Sequence, residues 1–238
     1  MKGIKSMDKK RMVDSSLTEI DSSVKFRVTE SYKAIRTNLI FSLMKKGCKT
    51  VVISSPLPSE GKSTSSVNIA ISLAQTDMKV LLIDTDLRKP KIHRFLNINN
   101  VPGLTNYLGG MNALSDIIHQ TKYPNLHVIC SGTTVPNPSE MLASEQMQEF
   151  IEKLKEQYDY IVIDSTPLNI VSDALPLIKN SDGLILMIRE NSSTYTELDK
   201  ALNALELIDA KVLGIVLNGA QNSEHAKYNY SYKYESKG

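Results

Sequence analysis

Six short apolar runs punctuate the chain: KTVVISSP from Lys49, KVLLIDTD from Lys79, LHVICSG from Leu126, YIVIDSTP from Tyr160, GLILMIRE from Gly183 and KVLGIVLNG from Lys211. Each run is continuous rather than alternating, and each stops at turn-forming residues. That is the pattern of strands buried on both faces, as in a parallel sheet. Helical stretches fall between them, at about residues 61–76, 113–120, 139–157, 172–179 and 194–209. Pro138, followed by Ser139 and Glu140, marks a start for the longest. Ahead of the first run, Tyr32, Ile35, Leu39 and Leu43 recur at helical spacing between Val28 and Met44. Strand and helix in alternation predict an α/β domain, with a mostly parallel, doubly wound sheet flanked by helices and joined by right-handed crossovers. There is no internal repeat, and no linker after residue 45. The expected organisation is a flexible basic arm over 1–25, one domain over 26–222 and a tyrosine-rich tail over 223–238.

Composition supports a full core, with 238 residues of which 41% are hydrophobic and 23% charged. A net charge of only +2 argues against an extensive nucleic-acid groove, and no nucleic-acid partner is expected. The charge is uneven, however: Lys2, Lys5, Lys9, Lys10 and Arg11 stand against Asp8 alone. A solvated arm fits that run, and so does contact with anionic lipid or a partner. Cys48 and Cys130 lie next to strands without a pairing or metal motif, so they read as reduced, small hydrophobic residues of a cytoplasmic protein. No apolar run approaches the roughly twenty residues of a membrane helix. The first residues also lack the apolar core of a signal peptide. Any membrane contact is therefore expected to be peripheral or through a partner. His93, His119, His127 and His225 show no metal-ligand spacing.

The chemistry gathers after three strands, where ligands bind in such sheets. SSPLPSEGKSTSSVNIA follows the first strand and opens a helix. Its GKST is the heart of a phosphate-binding loop. A helix N-terminus offers unpaired N–H groups to phosphate, Lys62 can reach the β- and γ-phosphates, and Ser63 can hold Mg²⁺. The match is partial, because Pro56 stands where the complete motif has its first glycine. Read alone, GKS is equally a helix start with a solvated lysine; its place between a buried strand and a helix favours phosphate. Asp164 closes YIVID, and Asp84 and Asp86 close KVLLIDTD. A single carboxylate after a strand is commonly a cap or turn former. Three beside one phosphate loop repel one another unless a cation balances them, so the pattern predicts binding of a Mg-nucleotide.

VLLIDTDLRKP, GKST and IVIDSTP, together with ESYKAIRTNLIF, GLTNYLGG, SGTTVPNPSEML, VLGIVLNG and the tyrosine-rich end, resemble the bacterial tyrosine kinases of capsule and exopolysaccharide assembly. The resemblance spans most of residues 28–238. It implies a P-loop NTPase-like fold and an ATP-dependent tyrosine autokinase that uses ATP and Mg²⁺. By position, it implies a catalytic set of Lys62, Asp84, Asp86 and Asp164. Ser59, Glu60, Gly61, Lys62, Ser63 and Thr64 would line the phosphates, and Asn218 would meet adenine. Ser63, Asp84 and Asp164 would hold the metal. One of Asp84 and Asp86 would act on it through water, and the other would orient or deprotonate the attacking hydroxyl. Arg88 and Lys89 would sit near the incoming tyrosine or the phosphates. The acceptors would be Tyr228, Tyr230, Tyr232 and Tyr234 of a neighbouring copy, within a ring held partly by Glu30, Lys33 and Arg36. The resemblance also implies a separate transmembrane modulator, which would bring the chain to the inner face of the membrane, and a cognate tyrosine phosphatase.

Three departures stand out. Lys33 replaces an arginine of the family's Glu-x-x-Arg-x-x-Arg helix, which keeps the charge but loses the bidentate fork. Ser59 replaces the glycine of PGEGKS, so a backbone position suited to φ > 0 is expected to carry strain. DSTPL stands for DTPP, which keeps Asp164 and Pro167. The tail tyrosines, spaced by two, read either as one face of an edge strand or as phenols on a mobile polar terminus that can reach another subunit. The rival readings are a positioning ATPase of the plasmid-partition and septum-site class, and a scaffold that binds ATP only as a structural ligand. The first carries a second lysine where this chain has Leu57.

Overall fold

The computed structural model describes residues 22–220. The basic residues from Lys2 to Arg11, His225 and the tail tyrosines Tyr228, Tyr230, Tyr232 and Tyr234 lie outside the described residues. The chain runs through α1 (Ser22–Ser42), β1 (Lys49–Ser54), α2 (Lys62–Ala74), β2 (Val80–Asp84), α3 (Ile92–Leu96), α4 (Leu104–Leu108), α5 (Leu114–Ile117) and β3 (Ile118–Gln120). It continues through β4 (Leu126–Ile129), α6 (Pro138–Ala143), α7 (Glu145–Lys155), β5 (Tyr160–Asp164), α8 (Leu175–Lys179), β6 (Gly183–Arg189), α9 (Tyr195–Glu206) and β7 (Val212–Asn218).

The strands form one sheet in the order β3-β4-β2-β5-β1-β6-β7. Every neighbouring pair is parallel except β3 on β4. From β1 the chain moves outward through α2 to β2, whereas β6 and β7 extend the sheet on the other side. This is the doubly wound arrangement, and its ligand crevice lies beyond the carboxyl ends of the central strands. The continuous apolar runs explain the layering. On one face Val51, Ile53, Leu82 and Val162 meet Leu39 of α1, Leu43 just beyond its end, and Ile69 and Leu73 of α2. On the other, Val52, Ile83, Ile161 and Ile163 meet Phe150 and Leu154 of α7 and Ala201 and Leu205 of α9. The helical spacing of Tyr32, Ile35, Leu39 and Leu43 thus becomes the seam of α1 on α2.

Several expectations need correction. The stretch 113–120 is not one helix: after Ile117 the chain extends, and Ile118 and Gln120 pair antiparallel with Ile129 and His127. A single helical turn makes few hydrogen bonds, whereas the open edge of β4 offers a row of unpaired backbone groups, and the edge wins. The stretch 139–157 breaks at Ser144, whose backbone is extended at ψ 154°. Its Oγ donates to the Met141 carbonyl and accepts the Met147 N–H at 3.2 Å, so the residue closes α6 and caps α7. α3 and α4 were not expected; five residues each are too few for periodicity to register. The last run is not buried on both faces. β7 is an edge strand, and Val212, Ile215 and Leu217 are exposed on it. α1 begins at Ser22, inside the stretch expected to be an arm. Among the described residues no helix is long and apolar enough to cross a membrane.

Candidate active site

The loop between β1 and α2 folds over the carboxyl end of the sheet. Gly61 caps α2 with φ 94°, in the left-handed region. A Cβ there would lie 2.1 Å from Asn218 Nδ2, so the position needs glycine for space as well as conformation. Ser59 also sits at φ 66°, the strained conformation expected of a serine in a glycine's place. The loop is braced from within. Glu60 is fully buried; its Oε2 accepts the Leu57 N–H at 2.9 Å and its Oε1 accepts from the Ser193 hydroxyl ahead of α9. Asn218, at the end of β7, donates through Nδ2 to the Glu60 carbonyl at 3.0 Å. Beside Asn218 an open groove of about 530 Å³ runs between α1 and β7, with Tyr32, Ser65, Met187 and Val216 in its wall.

Lys62 is not the solvated residue that a helix start suggests. Only 7% of its surface is exposed, and Nζ donates to Asp86 Oδ2 at 2.7 Å. Burial alone would lower its pKa, but Asp164 and Asp86 outweigh burial and hold it above the ordinary lysine range. Asp84 and Asp164 face each other across the β2–β5 pairing, both fully buried. Burial and the charge of Asp164 push the Asp84 carboxyl up to about 8, against the backbone N–H groups of Ile92 and Lys91. Burial likewise raises Asp164, against the opposing pull of Lys62, Ser63 and Ser66. Asp84 Oδ1 accepts from the Asp86 N–H at 3.2 Å, and Oδ2 from Lys91 and Ile92, each at 3.1 Å. Asp86 Oδ1 accepts from the Lys89 N–H at 3.0 Å. Asp164 Oδ1 accepts from Ser66 Oγ at 2.9 Å, whereas Oδ2 is buried without a partner.

That unpartnered oxygen is the test of fit for a divalent cation. A buried carboxylate oxygen left unpaired is costly, and a cation beside it would also relieve the repulsion among the acids. Among the described residues no group of three or more His, Cys, Asp or Glu side chains could hold a metal by itself. A hard cation of the Mg²⁺ type does not require one, because it takes one or two carboxylates and completes its shell with water and phosphate oxygens. Asp164 and Ser63 fit that role, with Asp84 behind them.

Other expected site residues lie differently. Thr64 is exposed on the first turn of α2. Lys89 is exposed, with only its backbone N–H engaged, on Asp86. Arg88 turns away to Asp173. On α1, Glu30 and Lys33 pair with each other at 2.7 Å on an exposed face, whereas Arg36 donates to the Ser72 carbonyl of α2 at 2.7 Å within the same chain. Sequence reasoning missed Ser66, Ser193 and Asp173. Ser66 lies two positions after GKST and one helical turn from Lys62, a signal that was available; the other two carry none.

The geometry defines a nucleotide-binding domain of the P-loop NTPase type. A family model described as an AAA domain matches residues 48–213. Tyrosine-protein kinase YwqD of Bacillus subtilis (strain 168) is 37% identical over 202 residues, covering 85% of this chain and 85% of the relative. Tyrosine-protein kinase CpsD of Streptococcus agalactiae serotype III (strain NEM316) is 38% identical over 218 residues, covering 91% of each. Among solved structures, the kinase domain of the Escherichia coli tyrosine kinase ETK superposes with a TM-score of 0.79 at 32% identity, covering 87% of this chain and 80% of that one. The chain belongs to the bacterial tyrosine-protein kinase family.

Proposed function

We propose that this chain transfers the γ-phosphoryl group of ATP to tyrosine hydroxyls in the C-terminal segment of a neighbouring copy, in the control of capsule or exopolysaccharide synthesis. The observation that carries the reading is the unpartnered Asp164 Oδ2 beside the buried Lys62–Asp86 pair, at the foot of a phosphate-shaped loop. Bound Mg²⁺ would neutralise the charge that develops between the β- and γ-phosphates. Asp164 and Ser63 would hold it, and Asp84 would act through water. The N–H groups opening α2 would take the phosphates, and the groove beside Asn218 would take the adenine.

Lys62 and Asp86 then change roles together. The Lys62 ammonium donates to Asp86. Phosphate oxygens compete for that ammonium, and as Lys62 turns to them Asp86 Oδ2 is released. A carboxylate so freed can accept the proton of an incoming phenol or orient its hydroxyl for in-line attack. Binding of the first substrate thus unmasks the group that acts on the second.

The acceptors are Tyr228, Tyr230, Tyr232 and Tyr234, presented in trans within a homo-oligomer. A separate transmembrane modulator brings the chain to the inner face of the membrane, and a cognate phosphatase resets the tail. The test is mass spectrometry of the tail after incubation with Mg-ATP, with and without the cytoplasmic segment of such a modulator. Phosphotyrosine is expected on the tail. Formation of ADP without phosphotyrosine under both conditions would return the chain to the positioning-ATPase reading. Against that rival stands Leu57, which fills the position of the second lysine and is tied by its N–H to Glu60.

A further inference from the structure

Arg88 leaves the acid-bearing segment two residues beyond Asp86, yet its guanidinium does not turn back to the acids. Nε donates to Asp173 Oδ2 at 2.6 Å and Nη2 donates to Oδ1 at 3.1 Å. Asp173 lies in the loop before α8, its side chain 1% exposed while that of Arg88 is 43% exposed. Ser139, in the first turn of α6, donates to the same Oδ1, and its Oγ lies 3.5 Å from Nη2. Three segments far apart in sequence therefore meet to fix one guanidinium plane. The two-point fork gives that grip its direction.

Burying a carboxylate for an arginine that stays half in solvent calls for a reason, because such a pair contributes little net stability. The reason lies in where Arg88 would otherwise go. Asp84, Asp86 and Asp164 are buried and close together, and Lys62 is bonded to Asp86 within the cluster. A long, permanently charged side chain rooted two residues from Asp86 is drawn to that cluster by charge alone. There it would neutralise the acids and stand where a divalent cation binds. We propose that Asp173, seated by Ser139, is a positioning residue that holds Arg88 out of the carboxylate cluster and so keeps it open to the Mg²⁺ of the nucleotide.

The inference rests on the reading that the acids take Mg²⁺, and one experiment separates the two. Full-length protein is titrated with a fluorescent ADP analogue across a range of Mg²⁺ concentrations. Wild-type affinity should rise with Mg²⁺; no response would overturn the metal reading and this inference with it. Given a wild-type response, Asp173→Asn should need about tenfold more Mg²⁺ for half-maximal affinity, the usual scale for partners that orient a metal site. Asp173→Glu should recover part of the shift. Adding Arg88→Gln to Asp173→Asn should return the Mg²⁺ dependence to wild type, which a merely loosened fold would not do. An unshifted Asp173→Asn, or a double variant that keeps the defect, overturns the inference alone. If Asp173→Asn does not fold, Ser139→Ala should show a smaller shift that Arg88→Gln reverses, and an unshifted Ser139→Ala is then the overturning result.

Discussion

Lys62 Nζ donates to Asp86 Oδ2 at 2.7 Å, and both side chains are more than nine-tenths buried. One ammonium is bonded within a cluster of three buried acids. Lys62→Met should cut tyrosine phosphorylation by about a thousandfold, the scale of losing a donor aimed at developing charge. It should also cost about 3 kcal/mol of stability in EDTA, because Asp86 is left buried and unpaired. Urea denaturation should show that loss shrinking when Mg²⁺ is added. A variant as stable as wild type in EDTA would mean that the pair does not hold the resting site together.

The same cluster gives the metal-free protein a pH dependence with a definite sign. Asp84 is raised from its ordinary 3.8 to about 8, and Asp164 is raised as well. Over that window the folded protein keeps protons that the unfolded chain has released, so stability falls as pH rises. The urea midpoint in EDTA should therefore be lower at pH 8 than at pH 6. Asp84→Asn should flatten the slope while abolishing transfer. A slope of opposite sign would show that other groups outweigh the acids.

The phosphate loop carries two left-handed residues of opposite fitness. Ser59→Gly should relieve φ 66° and add about 1 kcal/mol of stability. Gly61→Ala meets both φ 94° and a contact of 2.1 Å with Asn218 Nδ2, so it should break the bond from Asn218 to the Glu60 carbonyl and weaken nucleotide binding. Calorimetric titration with ADP on the two variants checks the pair. Equal affinities would mean that the loop tolerates either residue.

The sheet and its loop were legible because each rests on a local signal. Continuous apolar runs mark buried strands, and GKST between strand and helix marks the turn from β1 into α2. What escaped were contacts between residues distant in sequence. Arg88 and Asp173 are 85 positions apart, and Glu60 and Ser193 are 133 apart. Either acid alone reads as an ordinary loop carboxylate. Lys62 could be placed at the start of α2 from the sequence, but not its burial or its bond to Asp86, 24 positions further on. Ile118 failed for a related reason, since only the open edge of β4 explains why a helix should end there.

The bond from Asn218 to the Glu60 carbonyl fixes where the tail departs: beside the phosphate loop of its own subunit. Tyr228 lies ten positions beyond Asn218, a span of at most about 35 Å when extended. Contour length thus lets each tail approach its own site, so transfer to another subunit has to be favoured by approach geometry and assembly. If the copies assemble into a closed oligomer, each tail tyrosine would be tethered near a donor site at an effective concentration of about a millimolar. Autophosphorylation of the assembled protein should then be first order and insensitive to dilution until the subunits part, after which it should become second order. Mixing Lys62→Met protein that keeps its tail with active protein cut after residue 220 isolates the intersubunit event. Label on the Lys62→Met tail demonstrates transfer between subunits, and its absence from a mixture that forms oligomers assigns the reaction to a single chain.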